Sequence, residues 1–140
     1  MCRRLVRMTN QPVLQGIRIL DFSWVLAGPY ATRILADFGA EVLKIQPLLP
    51  EAEDKFSRGY YNTWNRNKLG ITLNLNKPEG IALAKRLAGI SDAVVENFTP
   101  RVMANWGLDY DNLKKIKPDI IMLSLSTMGN TGPCRDYVGF

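Results

Sequence analysis

The side chains of this 140-residue chain that could do chemistry are carboxylates and lysines, because the sequence contains no histidine. Ser-His-Asp and Cys-His catalysis and histidine metal sites therefore cannot be assembled from this chain alone. Cys2 and Cys134 are far apart, so the sequence predicts neither a disulfide framework nor a metal site. A reducing compartment is the default, and we expect a cytoplasmic protein.

Three polar or glycine-containing segments follow predicted buried strands and are the candidate sites. They are residues 22–28, the run Glu96, Asn97 and Phe98, and the loop STMGNTGP at 126–133. In a parallel sheet the carboxyl ends of the strands meet at one edge, where ligands bind. We therefore expect the three segments to lie together.

The elements that position these segments alternate between strand and helix. Residues 17–46 form the clearest unit: a short apolar run ending at Asp21, a helix opened by Gly28 and Pro29 and closed by Gly39, and a second strand. Further strands are predicted at 71–75, 93–95 and 120–125, the last of them buried, and further helices at 78–90, 100–107 and 110–116. Residues 47–63 lack periodicity and predict a surface loop. The fold class is α/β, a Rossmann-like open, mainly parallel sheet with helices on both faces.

Several classes of function are disfavoured by composition and motif. The first turn, SWVLAGP, has one glycine where a dinucleotide site needs three, and no GxxxxGK[ST] loop occurs. The net charge is +5, but without Arg3, Arg4 and Arg7 of the leader 15 basic residues stand against 13 acidic ones, a net of +2. Neither a nucleic-acid surface nor a membrane span of about 20 apolar residues is predicted. We expect residues 1–10 to be a disordered leader.

Four motifs in order resemble one known family: DFSWVLAGPYATRILADFGAEVLKI, NRNKLGITLNLNKPEG, VVENFTPRVMANWGLDYDNL and LSLSTMGNTGP. Together they resemble the N-terminal part of the family III coenzyme A transferases, which include formyl-CoA and carnitine CoA-transferases and are related to the α-methylacyl-CoA racemases. The resemblance implies that residues 11–140 are the N-terminal part of a larger domain, incomplete at the C-terminus. It also implies an interlocked homodimer.

The resemblance further implies transfer of CoA from an acyl-CoA to a small carboxylic acid through an aspartyl mixed anhydride. The nucleophilic aspartate is expected beyond residue 140, so no residue of this chain is assigned a catalytic role, and the portion alone is expected to be inactive. Coenzyme A is a substrate here and no permanently bound cofactor is expected. The CoA-binding positions implied by motif match are Val25, Leu26, Leu73, Asn76, Asn97, Phe98 and Arg101.

Each of these positions has an implied part in the site. Val25 and Leu26 would face the nucleotide, Leu73 and Asn76 would line the adenine end, and Asn97 with Phe98 would hold pantetheine. Arg101 is a candidate phosphate partner.

The chain departs from the family pattern at three places: Gln46-Pro47 follows the second strand, Leu26 stands where some members have glutamine, and Asn105 stands where an arginine is frequent. Two alternatives stay open. The first is a racemase of the same fold, although Phe140 stands where those proteins present a histidine. The second is a non-catalytic CoA-binding module, if the natural chain ends at residue 140.

Overall fold

The computed structural model describes residues 11–47 and 55–138, so the predicted leader at 1–10 lies outside the described residues. Within these ranges the chain forms strands β1 (Arg18–Asp21), β2 (Glu41–Gln46), β3 (Lys68–Thr72), β4 (Ala93–Glu96) and β5 (Ile121–Ser124). The helices are α1 (Ala27–Asp37), α2 (Lys55–Asn65), α3 (Pro78–Gly89), α4 (Pro100–Asn105) and α5 (Tyr110–Ile116).

The five strands form one parallel sheet in the order β3-β2-β1-β4-β5, which confirms the predicted fold class. β1 lies at the centre, with Leu20 beside Leu43 of β2 and Val94 of β4. The chain winds outward from β1 to β3 and then crosses back to β4. The direction of winding therefore reverses between β1 and β4, and the carboxyl ends of these two strands flank the crevice in which such sheets bind ligands.

Helices cover both faces of the sheet because successive strand residues point to opposite sides. Ile19, Val42 and Val95 pack with Ala36 of α1 on one face, where α1 also contacts α2. The other face carries the larger core under α3, α4 and α5, which contains the buried residues Leu20, Phe22, Leu43, Ile45, Leu73, Ala84, Ala88, Val94, Met103, Leu108, Leu113 and Ile120. Burial of these side chains on both sides of β1 holds the crevice in a fixed position.

The predicted loop at 47–63 is wrong for its second half, because α2 begins at Lys55, while residues 48–54 lie outside the described residues. Gly59 and Thr63 are weak helix formers, which hid the helix from a pattern reading. Tertiary contacts favour it instead: the Trp64 ring packs edge-on against Tyr30 of α1 with centroids 5.4 Å apart. Packing of this kind commonly outweighs local propensity in short helices.

Two predicted strands also need correction. β3 is Lys68–Thr72 rather than 71–75. Leu73 and Leu75 lie in the loop after β3 and pack into the larger core from there, so their apolar alternation with Ile71 resembled that of a strand. β5 is not buried: Ile121 is 65% exposed and Leu123 is 42% exposed. β5 is an edge strand of the sheet, and these two side chains share the face of Val95, on which α1 contacts β1, β2 and β4.

Candidate functional site

A pocket of about 430 Å³ opens at the carboxyl edge of the sheet, where β1, β2 and β4 end. Its lining consists of aromatic and aliphatic side chains with three amides: Phe22, Trp24, Ile45, Gln46, Pro47, Leu73, Asn74, Leu75, Asn76, Phe98 and Trp106. The described lining carries no charged side chain. Such a surface suits an uncharged ligand part that has flat apolar faces and hydrogen-bonding edges, because amides can both donate and accept.

The segment from Leu73 to Asn76 forms one wall and is held by local hydrogen bonds. The Leu73 main-chain N–H donates to the Gln46 carbonyl at 3.0 Å, and the Asn76 N–H donates to Asn74 Oδ1 at 3.0 Å. Gly80 of α3 lies so close behind that a Cβ atom there would come within 2.1 Å of the Asn74 carbonyl oxygen. The wall is therefore fixed from both sides. Lys77, not Asn76, is the N-cap of α3, and its side chain makes no cap hydrogen bond.

Three aromatic rings form the opposite wall. The Phe98 ring packs edge-on against Trp24, with centroids 6.0 Å apart, and against Trp106, with centroids 5.7 Å apart. The Phe98 N–H donates to the carboxylate Oε2 of buried Glu96 at 2.8 Å, which fixes the main chain where β4 ends. Edge-to-face pairs of this kind add to the stabilisation from burial.

Asn97 joins the end of β4 to the turn between β1 and α1. Its Oδ1 accepts from the Trp24 main-chain N–H at 2.7 Å, and its Nδ2 donates to the Trp24 carbonyl at 2.8 Å. The next residue, Val25, has a φ of 66°. The left-handed region is unfavourable for a β-branched residue, so the surrounding structure must hold Val25 there.

Beneath this turn lies a buried charge cluster, which we define as Asp21, Ser23, Thr32, Lys44 and Lys68. Asp21 is fully buried and accepts from Thr32 Oγ1 at 2.6 Å and from Lys68 Nζ at 3.0 Å, while Lys44 Nζ lies 3.4 Å away. The other Asp21 oxygen also accepts from the Ser23 N–H at 2.8 Å and its hydroxyl at 2.5 Å. Lys44 donates to the Ser23 carbonyl. The cluster thus ties the start of the turn to α1, β2 and β3.

Burial and pairing act in opposite directions on the charges of this cluster. Burial by itself raises the pKa of Asp21, but Lys44, Lys68 and the hydroxyls of Ser23 and Thr32 together hold that pKa below its ordinary value. Burial lowers the pKa of Lys44 to about 8, with Asp21 opposing the change. Burial also lowers the pKa of Lys68, again against Asp21. These groups serve the packing of the turn and do not face the pocket.

The structure brings three of the seven predicted CoA-binding residues together in the pocket lining: Leu73, Asn76 and Phe98. Val25 and Leu26 lie on the exposed part of the β1–α1 turn, 66% and 45% exposed, beside the pocket rather than in its lining.

The last two predicted residues also lie outside the lining. Both ends of the Asn97 amide are engaged with the Trp24 main chain. Arg101 of α4 is exposed, and its Nε lies 3.2 Å from Asp136.

Trp24 lies in the predicted segment 22–28, whereas sequence patterns did not single out Trp106 or the amides of Gln46 and Asn74. Gln46 is the last residue of β2 and Asn74 follows β3, so the rule that ligands bind at strand ends could have included both. Trp106 follows α4 and reaches the pocket only through its packing on Phe98. No local pattern signals that contact.

Comparison with known proteins identifies the class of this protein. Residues 14–140 match the family described as CoA-transferase family III. This chain belongs to that family, and its relatives are named as enzymes that transfer CoA.

Among the curated relatives, the chain is 38% identical over 145 residues to a succinate–glutarate CoA-transferase of Agrobacterium fabrum, covering 94% of this chain and 36% of that protein. It is 44% identical over 135 residues to the β subunit of a succinyl-CoA–L-malate CoA-transferase of Chloroflexus aurantiacus, covering 91% and 33%. The human succinyl-CoA:glutarate CoA-transferase is 38% identical over 143 residues, covering 95% and 32%. The chain thus spans about a third of the length of the curated relatives it matches.

Solved structures of similar proteins superpose closely on this chain. A Mycobacterium tuberculosis protein described as hypothetical superposes with a TM-score of 0.86 at 35% identity, covering 93% of this chain and 38% of that one. A CAIB/BAIF family protein from Brucella suis gives a TM-score of 0.82 at 33% identity, covering 94% and 38%.

The described residues contain no helix long and apolar enough to cross a bilayer and no group of three or more potential metal ligands among His, Cys, Asp and Glu.

Proposed function

We propose that the intact protein transfers coenzyme A from an acyl-CoA to a carboxylic acid and that the pocket of this chain holds part of the CoA. The observation that carries the proposal is the position and lining of the pocket. It lies at the carboxyl edge of a family III sheet, it contains Leu73, Asn76 and Phe98, and its walls carry apolar rings and amides without charge. Adenine and pantetheine offer the flat faces and amide groups that such walls can contact.

The chemical step that we propose is covalent catalysis by a carboxylate. An aspartate beyond residue 140 attacks the thioester carbonyl, the acyl group becomes an anhydride of that aspartate, and the CoA thiolate leaves with the electron pair of the broken C–S bond. The thiolate attacks the aspartyl carbonyl of this anhydride, which releases the donor acid as a carboxylate and leaves CoA as a thioester of the aspartate. The acceptor carboxylate then attacks that aspartyl thioester, which gives a second anhydride and frees the thiolate again. Attack of the thiolate on the acceptor carbonyl of the second anhydride forms the new thioester and regenerates the aspartate carboxylate. In this scheme the residues of this chain bind and orient CoA, and none of them exchanges a bond.

We propose a short dicarboxylic acid as the acceptor and succinyl-CoA as a donor. The support is that the relatives are named for transfer between succinate and glutarate, or from succinyl-CoA to L-malate or glutarate. A carboxylate at the far end of the acyl chain would be recognised outside the uncharged pocket, because burying it there without a partner would be unfavourable.

We also propose a homodimer in the intact protein and a cytoplasmic location. The exposed apolar side chains Ile121 and Leu123 on the edge strand support an interface with another part of the assembly, since such surfaces are normally covered. Sedimentation of the intact protein at micromolar concentration would test the first point, with a monomer contradicting it. Fractionation of the source cells would test the second.

The activity is tested by incubating the intact protein with succinyl-CoA and a panel of carboxylic acids and following new thioesters by mass spectrometry. We expect a new CoA thioester with at least one dicarboxylic acid. Exchange of the α-proton of an acyl-CoA without any acyl transfer would instead support the racemase alternative.

The role of the pocket is tested with Asn76→Ala, which removes an exposed amide from the pocket lining. Loss of one ligand hydrogen bond should weaken CoA binding about threefold to tenfold. Asn62→Ala, which removes an exposed amide from α2, is the matched control and should leave the affinity unchanged. Equal affinities of wild type and Asn76→Ala in calorimetric titration would remove Asn76 from the proposed site.

A further inference from the structure

We infer that Asn97 is a positioning residue, which acts on CoA binding by holding the Trp24 main chain and through it the Trp24 ring in the pocket wall. The inference rests on the proposed function and changes one residue role within it. It replaces direct contact between Asn97 and pantetheine by an indirect effect.

The Asn97 amide is hydrogen-bonded at both ends to the main chain of one residue, Trp24. The Trp24 N–H and carbonyl meet Asn97 Oδ1 and Nδ2 at 2.7 and 2.8 Å, which is good hydrogen-bond geometry. A side-chain amide that pairs in this way imitates a neighbouring strand, and it joins chain segments 73 residues apart. The pairing bridges the ends of β1 and β4, which flank the crevice.

The turn that Asn97 holds is strained, and the part of the chain that the structure describes supplies no side-chain cap at its far end. Val25, with φ of 66°, adopts a conformation that is unfavourable for a residue other than glycine. The N-cap of α1, Leu26, offers no side-chain cap hydrogen bond. Asp21 and Lys44 hold Ser23, at the start of the turn, from below. The Asn97 amide holds the next residue, so without it the strain is free to relax from Trp24 onward.

Relaxation of the turn would reach the pocket because the Trp24 ring lies in its lining. The ring packs edge-on against Phe98, the residue after Asn97, and Phe98 packs against Trp106. The Trp24 side chain is still 47% exposed, so this packing alone leaves much of the ring free. The position of its main chain, which Asn97 sets, therefore decides where the ring stands.

The first test needs no CoA. The intact protein is labelled with 5-fluorotryptophan, and the ¹⁹F resonance of Trp24 is assigned with Trp24→Phe. In Asn97→Ala and in Asn97→Asp, which keeps the acceptor and removes the donor, we expect the Trp24 resonance to shift or broaden while that of Trp64 stays in place. Asn105→Ala, an exposed change on α4, is the control and should leave the Trp24 resonance unchanged. An unchanged Trp24 resonance in Asn97→Ala would overturn the inference.

The second test is a double-mutant cycle on CoA affinity, measured by calorimetric titration. Asn97→Ala should weaken CoA binding about threefold to tenfold in the wild-type background and by less than about twofold in a Trp24→Ala background, since the group through which it acts is gone. Equal effects in the two backgrounds would show direct contact between Asn97 and CoA and would overturn the inference. If the wild type binds no CoA, the proposed function fails, whereas the fluorine spectra still decide whether Asn97 positions Trp24.

Discussion

The Asp21 carboxylate lies 3.0 Å from the Lys68 ammonium group, and neither side chain is more than 1% exposed. The two residues stand on β1 and β3, with β2 between them, and β2 contributes Lys44 to the same cluster. Burial of two ammonium groups is tolerable only while the acid is charged, because an unpaired buried charge is strongly unfavourable.

Replacement of Asp21 by Asn should therefore strongly destabilise the protein. The change keeps the shape but leaves Lys44 and Lys68 without a counter-charge, and removal of one partner of a buried pair typically costs about 3 to 5 kcal/mol. Denaturant unfolding of the intact protein measures the loss. Asp92→Asn, at a carboxylate 43% exposed and paired with Lys117, is the control and should cost much less. Similar losses for the two variants would contradict the structural role of Asp21.

The depressed pKa of Lys44 predicts a specific pH dependence. Between about pH 8, the folded pKa, and the unfolded value of 10.5, the unfolded chain holds a proton at Lys44 that the folded chain releases. The free energy of unfolding attributable to Lys44 must therefore rise with pH in this window, by at most about 1.4 kcal/mol per pH unit.

Lys44→Met isolates this contribution. The stability of wild type minus that of Lys44→Met, measured by urea unfolding, should increase from pH 8 to pH 10 and stay level from pH 6 to pH 7. The exposed Lys114→Met should show no such difference. If the stability difference between wild type and Lys44→Met falls as the pH rises above 8, burial does not lower the pKa of Lys44.

Gly28 should tolerate no side chain. A Cβ atom there would come within 2.2 Å of the Ser23 Cβ, which is itself held by Asp21, so either the turn or α1 must move. Gly28→Ala should lower the melting temperature and weaken CoA binding together. Gly59→Ala is matched to it, because Gly59 lies in α2 with nothing within 4 Å of its added Cβ, and it should stabilise by about 0.5 to 1 kcal/mol. A harmless Gly28→Ala would contradict the close packing of the turn.

Arg101 is predicted to contact a CoA phosphate. Its side chain is 68% exposed and its pairing with Asp136 is at the surface, so it is accessible to a ligand. Arg101→Ala should leave the melting temperature unchanged, because surface ion pairs contribute little. It should weaken CoA binding about threefold to tenfold at low salt and less at high salt, as a screened charge contact would. Arg135, which also pairs with Asp136, provides the control variant Arg135→Ala. Equal losses of CoA affinity in the two variants would show that Arg101 contributes only general surface charge and does not contact a phosphate.

Local pattern was enough to predict the type of most elements. Asp21 ends a short apolar run, Gly39 and Gly107 supply the positive φ values of 99° and 60° that follow α1 and α4, and residues 110–116 form α5 as predicted. These features depend on a few neighbouring residues, whose steric and hydrogen-bonding limits act over one or two turns of chain. The family followed from four motifs in order, and Leu73, Asn76 and Phe98 reached the pocket because all three follow strand ends.

What sequence could not predict depends on contacts between distant segments. The helix α2 forms where Trp64 meets Tyr30, β5 is exposed because no described helix covers that side of it, and Asp21 is buried only because Lys44 and Lys68 arrive from two other strands. The sequence predicted that the Asn97 amide contacts CoA directly, but in the structure this amide is hydrogen-bonded to the main chain of Trp24, 73 residues earlier. The strand order determines which distant segments come into contact. That order depends on the packing of the whole sheet and not on the neighbours of any one residue along the chain.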